Sequence, residues 1–416
     1  MLLEEILSRE NMKAALKQVE SNKGCAGIDG IKFDELRAVL HDSWVFIRAE
    51  ILEGSYIPNP VKRVEIPKPN GGTRNLGIPT VLDRLIQQAI SQQLSKRYDK
   101  DFSENSYGYR PNRSAKMAVL QAQKYLNEGY ACAIEIDLEK FFDTVNHDHL
   151  MHVLSERIED KRVLKLIRAY LKSGVQLGDI VKPNEQGTPQ GGPLSPLLSN
   201  ILLDKLDKEL EKRGHRFVRY ADDICIYVRS RKAGERVLKS VSGFLAMKLK
   251  LKVHEGKSGV RKPYQTKLLG FSFFAYKGTY RIRVHKDSYE KVKREIRAIT
   301  RKSRSMNLEG RIGLLNWQIG GWVSYFKIAE CKQAMSELDS WARSKLRYCI
   351  WKTWKRVRTR IRELVKLGAD KLTAIRHGMT RLGGWRVCHS PILTTTLTNM
   401  HLKKLGYQGF MARYLK

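Results

Sequence analysis

Asp222 and Asp223 lie side by side within Phe217-Val218-Arg219-Tyr220-Ala221-Asp222-Asp223-Ile224-Cys225-Ile226-Tyr227-Val228, a run otherwise rich in apolar and aromatic residues. Adjacent anions repel unless a cation lies between them. A third carboxylate, Asp137, ends another apolar run, Ala133-Ile134-Glu135-Ile136-Asp137-Leu138. Carboxylate oxygens displayed together are hard ligands for Mg²⁺, and a pair of such ions drives in-line nucleotidyl transfer. An isolated Asp-Asp is usually a solvated turn. Here the apolar flanks and the strand-terminal Asp137 point instead to a two-metal site built from Asp137, Asp222 and Asp223.

The elements that must position these acids are two neighbouring strands, because β-branched and aromatic residues dominate the flanks. Ala221-Asp222-Asp223 is expected as the hairpin turn, with the acids at its tip, and such a strand pair is how polymerases of the palm type are built. Upstream, Arg63 to Pro79 predicts a second hairpin around a Pro-Asn-Gly-Gly turn, presenting Lys68 and Arg74 from its two arms. Surface cations are usually only solvated. Beside a carboxylate–metal site, however, they suit the β- and γ-phosphates of a nucleotide. Phe141 and Phe142 open a helix just after Asp137, where one ring would press on a nucleotide sugar, although either is more often core. Gln186 to Asn200, rich in Gly and Pro, predicts a tight loop that lets backbone approach a base pair, then an apolar helix to Leu210.

The rest of the chain supplies candidate nucleic-acid contacts. Residues 1–45 read as amphipathic helix interrupted by a glycine-rich loop from Asn22 to Gly30. Val81 to Arg97 reads as an amphipathic helix with a Gln-rich face. The following block places Tyr107, Arg110 and Arg113 around Gly108 and Pro111, which suits stacking and phosphate contact with a strand; Ser114 alternatively caps the next helix. Val237 to Lys250 predicts a helix and Lys250 to Val253 a strand leading to Lys257. A lysine there would protonate a leaving pyrophosphate, or is a plain surface residue. Leu268 to Phe274 predicts a strand closing the palm. From Asp287 the pattern turns helical, with one helix over Leu315–Phe326. Another, Trp341 to Arg362, carries Lys352, Lys355 and Arg356 beside Trp351 and Trp354: a nucleic-acid groove, or a solvated basic face over a tryptophan core.

Composition narrows the class. At 416 residues with 42% hydrophobic content, the chain should form two or three domains with real cores. A net charge of +34 would destabilise a compact fold by self-repulsion unless a polyanion neutralises it, so nucleic acid is the expected partner. The excess concentrates in residues 281–416, with 31 Lys and Arg against 9 Asp and Glu. An anionic membrane is the rival partner, but no apolar run approaches the roughly 18 residues of a spanning helix. Glu4 and Glu5 near the start suit neither a signal nor a transit peptide. Six scattered cysteines include no C-x-x-C pair or zinc-finger spacing and fit a reduced cytosol, with Cys132 and Cys225 in strands as core residues.

Taken in order, several blocks resemble the reverse transcriptases encoded by bacterial group II introns. They are Ile66-Pro67-Lys68 with Arg74-Asn75-Leu76-Gly77-Ile78-Pro79, Ser106-Tyr107-Gly108-Tyr109-Arg110-Pro111, Gly187-Thr188-Pro189-Gln190-Gly191-Gly192, Tyr220-Ala221-Asp222-Asp223, and Gly320-Gly321-Trp322-Val323-Ser324-Tyr325-Phe326. The resemblance implies an α+β right-hand polymerase, with fingers and palm on antiparallel sheet, followed by an α-helical thumb/maturase domain. The implied divisions are an N-terminal extension (1–50), fingers and palm (51–280), thumb/maturase (281–372) and a basic C-terminal segment (373–416). It implies two Mg²⁺ on Asp137, Asp222 and Asp223, dNTP substrates, and Lys68 and Arg74 on the triphosphate. Phe142 becomes a sugar gate against a 2′-hydroxyl, Gln190 and Gly191 contacts to the nucleotide and templating pair, and Lys257 the palm lysine of the family. The loop at Asn22, Lys23 and Gly24 would grip template. Implied partners are intron RNA, an RNA template with a DNA primer, and target DNA, in a bacterial cytoplasm near the nucleoid. The short C-terminal end resembles the compact subclass lacking an endonuclease, which implies insertion at open or single-stranded DNA. A splicing cofactor with secondary polymerase activity and a reverse transcriptase recruited to phage defence are the alternatives.

Overall fold

Runs of β-branched and aromatic residues pair into sheets in the computed structural model, which describes residues 1–67, 71–178, 180–301 and 306–415. The chain forms two compact units, Met1–Pro263 and Tyr264–Lys416. In the first unit the strands are β1 (Val61–Pro67), β2 (Thr73–Ile78), β3 (Cys132–Ile136), β4 (Val175–Leu177), β5 (Ile180–Lys182), β6 (Arg216–Tyr220), β7 (Asp223–Val228) and β8 (Gly259–Arg261). They build two four-stranded sheets, β2-β1-β4-β5 and β6-β7-β3-β8.

The second of these sheets is wholly antiparallel, with β7 and β3 at its centre. Helices Ala115–Asn127, Ser195–Lys212 and Arg231–Lys248 pack on it, so β7 is buried from Ile224 to Val228. The first sheet departs from the expected antiparallel pattern. β1 pairs with β2 as a hairpin but runs parallel to β4, which the long connection between them permits. Lys250–Val253 is not the expected strand. It contributes an isolated bridge, Leu138↔Val253, and the strand β8 begins only at Gly259.

Helix Val81–Tyr98 is buried on more than one side, not amphipathic. Leu85, Ile86, Ala89, Ile90 and Leu94 lie in the core together with Asp83 and Gln87. Asp83 and the Ala89 carbonyl are met by donors from neighbouring segments, as buried polar groups usually are. Tyr56 Oη and Thr80 Oγ1 donate to Asp83, and Asn11 donates to the carbonyls of Ile6 and Ala89. Residues 1–50 contribute one apolar face to the same core: Leu3, Ile6, Ala15 and Leu36 are fully buried in that cluster. Cys225 is buried as expected, whereas Cys132 is only half-buried.

The second unit opens with a hairpin, β9 (Phe271–Tyr276) and β10 (Thr279–Val284), followed by helices. This hairpin was expected to close the palm, with the boundary at residue 280. It instead belongs to the helical unit, because Phe271 packs on Tyr325 and Phe326 (centroids 5.5 and 4.9 Å) and Glu330 N–H donates to the Ile282 carbonyl. The helix read over Leu315–Phe326 forms but begins earlier, at Leu308, where the Asn307 side chain caps it by accepting from Gly310 N–H. The expected helix over Trp341–Arg362 is two, Lys332–Thr353 and Val357–Lys366, broken where Trp354 turns edge-on to Trp351 (5.9 Å). Both tryptophans are buried. Within the basic C-terminal segment, Tyr407 Oη donates to Asp339 (2.9 Å) and Phe410 meets Trp322 edge-on (5.8 Å). Among the described residues no helix is long and apolar enough to cross a membrane.

Candidate active site

The register of the central strands gathers the acids. Ile136 pairs with Ile224, so Asp137, next after Ile136, and Asp223, next before Ile224, come to the same end of β3 and β7. Tyr220 pairs with Asp223, which leaves Ala221 and Asp222 as a two-residue turn; Asp223 opens β7 and is not itself in the turn. Ala221 has φ +58°, a left-handed conformation costing an L-residue about 1–2 kcal/mol. Neighbours enforce it. A Cβ on Gly108 would collide with Ala221 N, so only glycine lets that backbone lie against the turn.

Asp137 is anchored through its backbone. Its N–H donates to Ser258 Oγ (3.0 Å) and its carbonyl accepts from His254 N–H (2.8 Å). The side chain stands 3.3 Å from Lys257 Nζ, a solvated pair contributing under about 1 kcal/mol. Burial pushes the Asp222 carboxyl above its ordinary value and the charge of Asp137 adds to this, while the Arg74 guanidinium opposes both. An acid disfavoured by burial and by a second acid is one that a cation would stabilise. The all-oxygen donor set suits a hard divalent ion, although among the described residues no three His, Cys, Asp or Glu side chains form a ready-made cage.

The hairpin β1–β2 is tied to the glycine-rich loop. Arg74 Nε donates to Gln190 Oε1 (2.8 Å), and Gly77 N–H donates to the Gln190 carbonyl (2.7 Å). Gly191 has φ +132°, and a Cβ there would meet Gly77 O at 2.5 Å. The loop also lies on the short helix Phe141–Thr144: Thr188 N–H donates to the Phe142 carbonyl (2.6 Å), and His147 Nε2 donates to the Gly187 carbonyl (2.6 Å). A cavity of about 970 Å³ beside it is lined by Arg63, Asn75, Lys140, Phe142 and Gln190. Phe142 itself is only 6% exposed. Lys68 lies outside the described residues.

Residues 66–273, half of the chain, match the family Reverse transcriptase (RNA-dependent DNA polymerase). The chain belongs to the reverse transcriptase family. Residues 289–368 match the Group II intron, maturase-specific domain. Protein YkfC of Escherichia coli is 33% identical over 62% of this chain and 78% of its own length. The putative COX1/OXI3 intron 2 protein of Saccharomyces cerevisiae is 37% identical over 48% of this chain, and the group II intron-encoded protein LtrA of Lactococcus lactis is 36% identical over 47%. The match spans only 23% and 32% of those two longer proteins. Members of the family are RNA-directed DNA polymerases that use a divalent metal and dNTPs. The maturase-specific domain adds intron RNA to the template and primer as a nucleic-acid partner.

Within this reverse transcriptase, two expected nucleic-acid contacts are structural. Tyr107 and Arg110 are buried, and Arg110 spends its donors inside the protein, on Asp99 (2.7 Å) and on the carbonyls of Ser103, Ser106 and Asp99. Neither can stack on or grip a strand. Arg113 pairs with Glu104 and covers the Tyr107 ring. The block instead braces the strand leading into the Asp222 turn: Asn105 O accepts from Arg219 N–H and Tyr107 N–H donates to Arg219 O, both 2.9 Å. Asn22 and Lys23 are exposed at a helix end, Lys23 with φ +46°, and Gly24 packs against Arg84. Lys352 is half-buried, its ammonium 5.7 Å from the Tyr348 ring, while Lys355 and Arg356 are exposed in the helix break. Sequence reasoning passed over Tyr109. It has φ +55° and is 56% exposed, and its hydroxyl is pushed up by partial desolvation and by the nearby Asp222 charge. It also passed over Asn200 and Arg219, whose only signal was a charged or polar residue inside an apolar run.

Proposed function

We propose that this reverse transcriptase extends a DNA primer along intron RNA, with Asp137, Asp222 and Asp223 holding two Mg²⁺, and that its second unit binds the same RNA to help it splice. The observation that carries the reading is the strand register, which brings Asp137 and Asp223 to one end of β3 and β7 with Asp222 in the adjoining turn. When bound, the ions would lower the pKa of the primer 3′-hydroxyl and neutralise charge on the triphosphate. Lys68 and Arg74 hold that triphosphate, Arg74 oriented by Gln190. Gln190 and Gly191 border the incoming nucleotide, and Phe142 disfavours a 2′-hydroxyl. Lys257 supplies a proton to the departing pyrophosphate. Asn22, Lys23 and Gly24 contact template, Lys352, Lys355 and Arg356 contact RNA, and target DNA completes the set of partners. The maturase-specific match favours an intron partner over phage defence.

Primer extension on an RNA template with dNTPs and Mg²⁺ tests the reading, with the Asp222→Ala/Asp223→Ala double variant alongside. The wild type should extend the primer, and the double variant should lose extension while RNA binding stays within about twofold. Extension by the double variant would remove the carboxylate assignment. No extension by the wild type, despite tight RNA binding, would put the splicing role first.

A further inference from the structure

Arg219 sits on β6 two residues before Ala221, and it and Asp207, from helix Ser195–Lys212, are both fully buried. Its planar guanidinium makes three sets of contacts. Nε and Nη2 take the Asp207 carboxylate (2.8, 2.9 and 2.5 Å), and Nη1 donates both to Asn200 Oδ1 (2.8 Å) and to the carbonyl of Ala221 (3.0 Å). Asn200, also fully buried, turns its amide the other way and donates to the Gly108 carbonyl (2.8 Å). Gly108 is the residue lying against the backbone of Tyr220 and Ala221. One side-chain network therefore holds the turn directly, through Ala221 O, and again through its neighbour Gly108.

A buried ion pair is weak support for stability, because an apolar pair of similar volume often serves as well or better. What a guanidinium offers and an apolar side chain does not is a rigid fork of directed donors. This one is aimed at the backbone immediately preceding Asp222. We propose that Arg219, with Asn200, is a positioning residue for nucleotidyl transfer: it fixes the left-handed turn from which Asp222 and Asp223 are presented. The proposal rests on the reading of those aspartates as the metal-holding pair.

Arg219→Lys keeps the charge beside Asp207, but one ammonium cannot serve Asp207, Asn200 and Ala221 O in a plane. Asn200→Ala leaves the ion pair intact and removes the link to Gly108, so it tests the same idea if the first variant folds poorly. In either variant, kcat should fall by about 10- to 100-fold, the scale of a misplacement near 1 Å. The KM for dNTP and the affinity for template–primer should stay within about twofold, and the Mg²⁺ midpoint should rise. In protein free of metal and nucleic acid, hydrogen exchange should quicken at the amides of Asp222, Asp223 and Ile224 and not across the rest of the first unit. A role confined to general stability would instead lower the melting temperature and quicken exchange throughout. Wild-type kcat and exchange in both folded variants, or loss of kcat only in step with loss of folded protein, overturns the proposal. If the wild type itself does not extend primers, the catalytic reading fails; the exchange measurement still decides whether the network holds the turn.

Discussion

At Asp222 burial and the neighbouring Asp137 favour the neutral acid, and Arg74 favours the anion. On the proposed assignment the raised carboxyl must lose its proton before it can hold a cation, so acidification should disable the site sooner than it would an ordinary aspartate. Removing the Arg74 charge raises that carboxyl further. Arg74→Ala should therefore move the acid limb of the kcat/KM profile to higher pH, and also raise the KM for dNTP by about tenfold, the worth of one charged hydrogen bond. A pH profile of steady-state extension checks both; an unmoved acid limb would separate Arg74 from Asp222. That these acids would lie together was legible because a carboxylate at the end of an apolar strand is costly unless a cation or a donor meets it. Arg110 was not legible in the same way. An arginine among aromatics in a Gly/Pro loop looks the same whether it faces a phosphate or, as here, the carbonyls of Asp99, Ser103 and Ser106.

Among the elements, the β6–β7 turn and the segment beside it behave as one piece. Gly108→Ala would drive a methyl into the backbone of Ala221, and should cost about 1–3 kcal/mol and lower extension more than it lowers RNA binding. Thermal melts with a binding titration check this. Helix Ser195–Lys212 carries a second strain. Asp204 is pushed up to about 6 by burial and by the charge of Asp207. A folded-state pKa above the unfolded one means that ionisation opposes folding. Stability should thus fall as pH rises from about 4 to about 6, and the full penalty, at most about 3 kcal/mol, should persist above that. Asp204→Asn should raise the melting temperature near pH 7.5 and leave it unchanged near pH 4. The β1–β2 hairpin was readable from the Pro-Asn-Gly-Gly sequence between its arms. The break between helices Lys332–Thr353 and Val357–Lys366 was not, since Trp354-Lys355-Arg356 contains no helix breaker; it arises from Trp354 packing on Trp351.

For the molecule as a whole, the uneven charge makes ionic strength the natural probe. Lys355 and Arg356 are exposed in the most basic part of the chain. The double variant Lys355→Ala/Arg356→Ala should flatten the dependence of log affinity on log salt by about 1.4 for a single strand, if each residue meets one phosphate. An unchanged slope would place the RNA elsewhere. The division at Pro263/Tyr264 could not be read from composition, whose basic excess was read only from residue 281 onward; it follows from Phe271 burying itself against Tyr325 and Phe326. A last consequence concerns Gln190, whose side chain receives Arg74 while its carbonyl holds Gly77. On the proposed assignment, the group that borders the base pair also sets the arm that captures the triphosphate. Copying accuracy and substrate appetite then share one joint: changes at Gln190 that alter the error rate should alter nucleotide affinity with it.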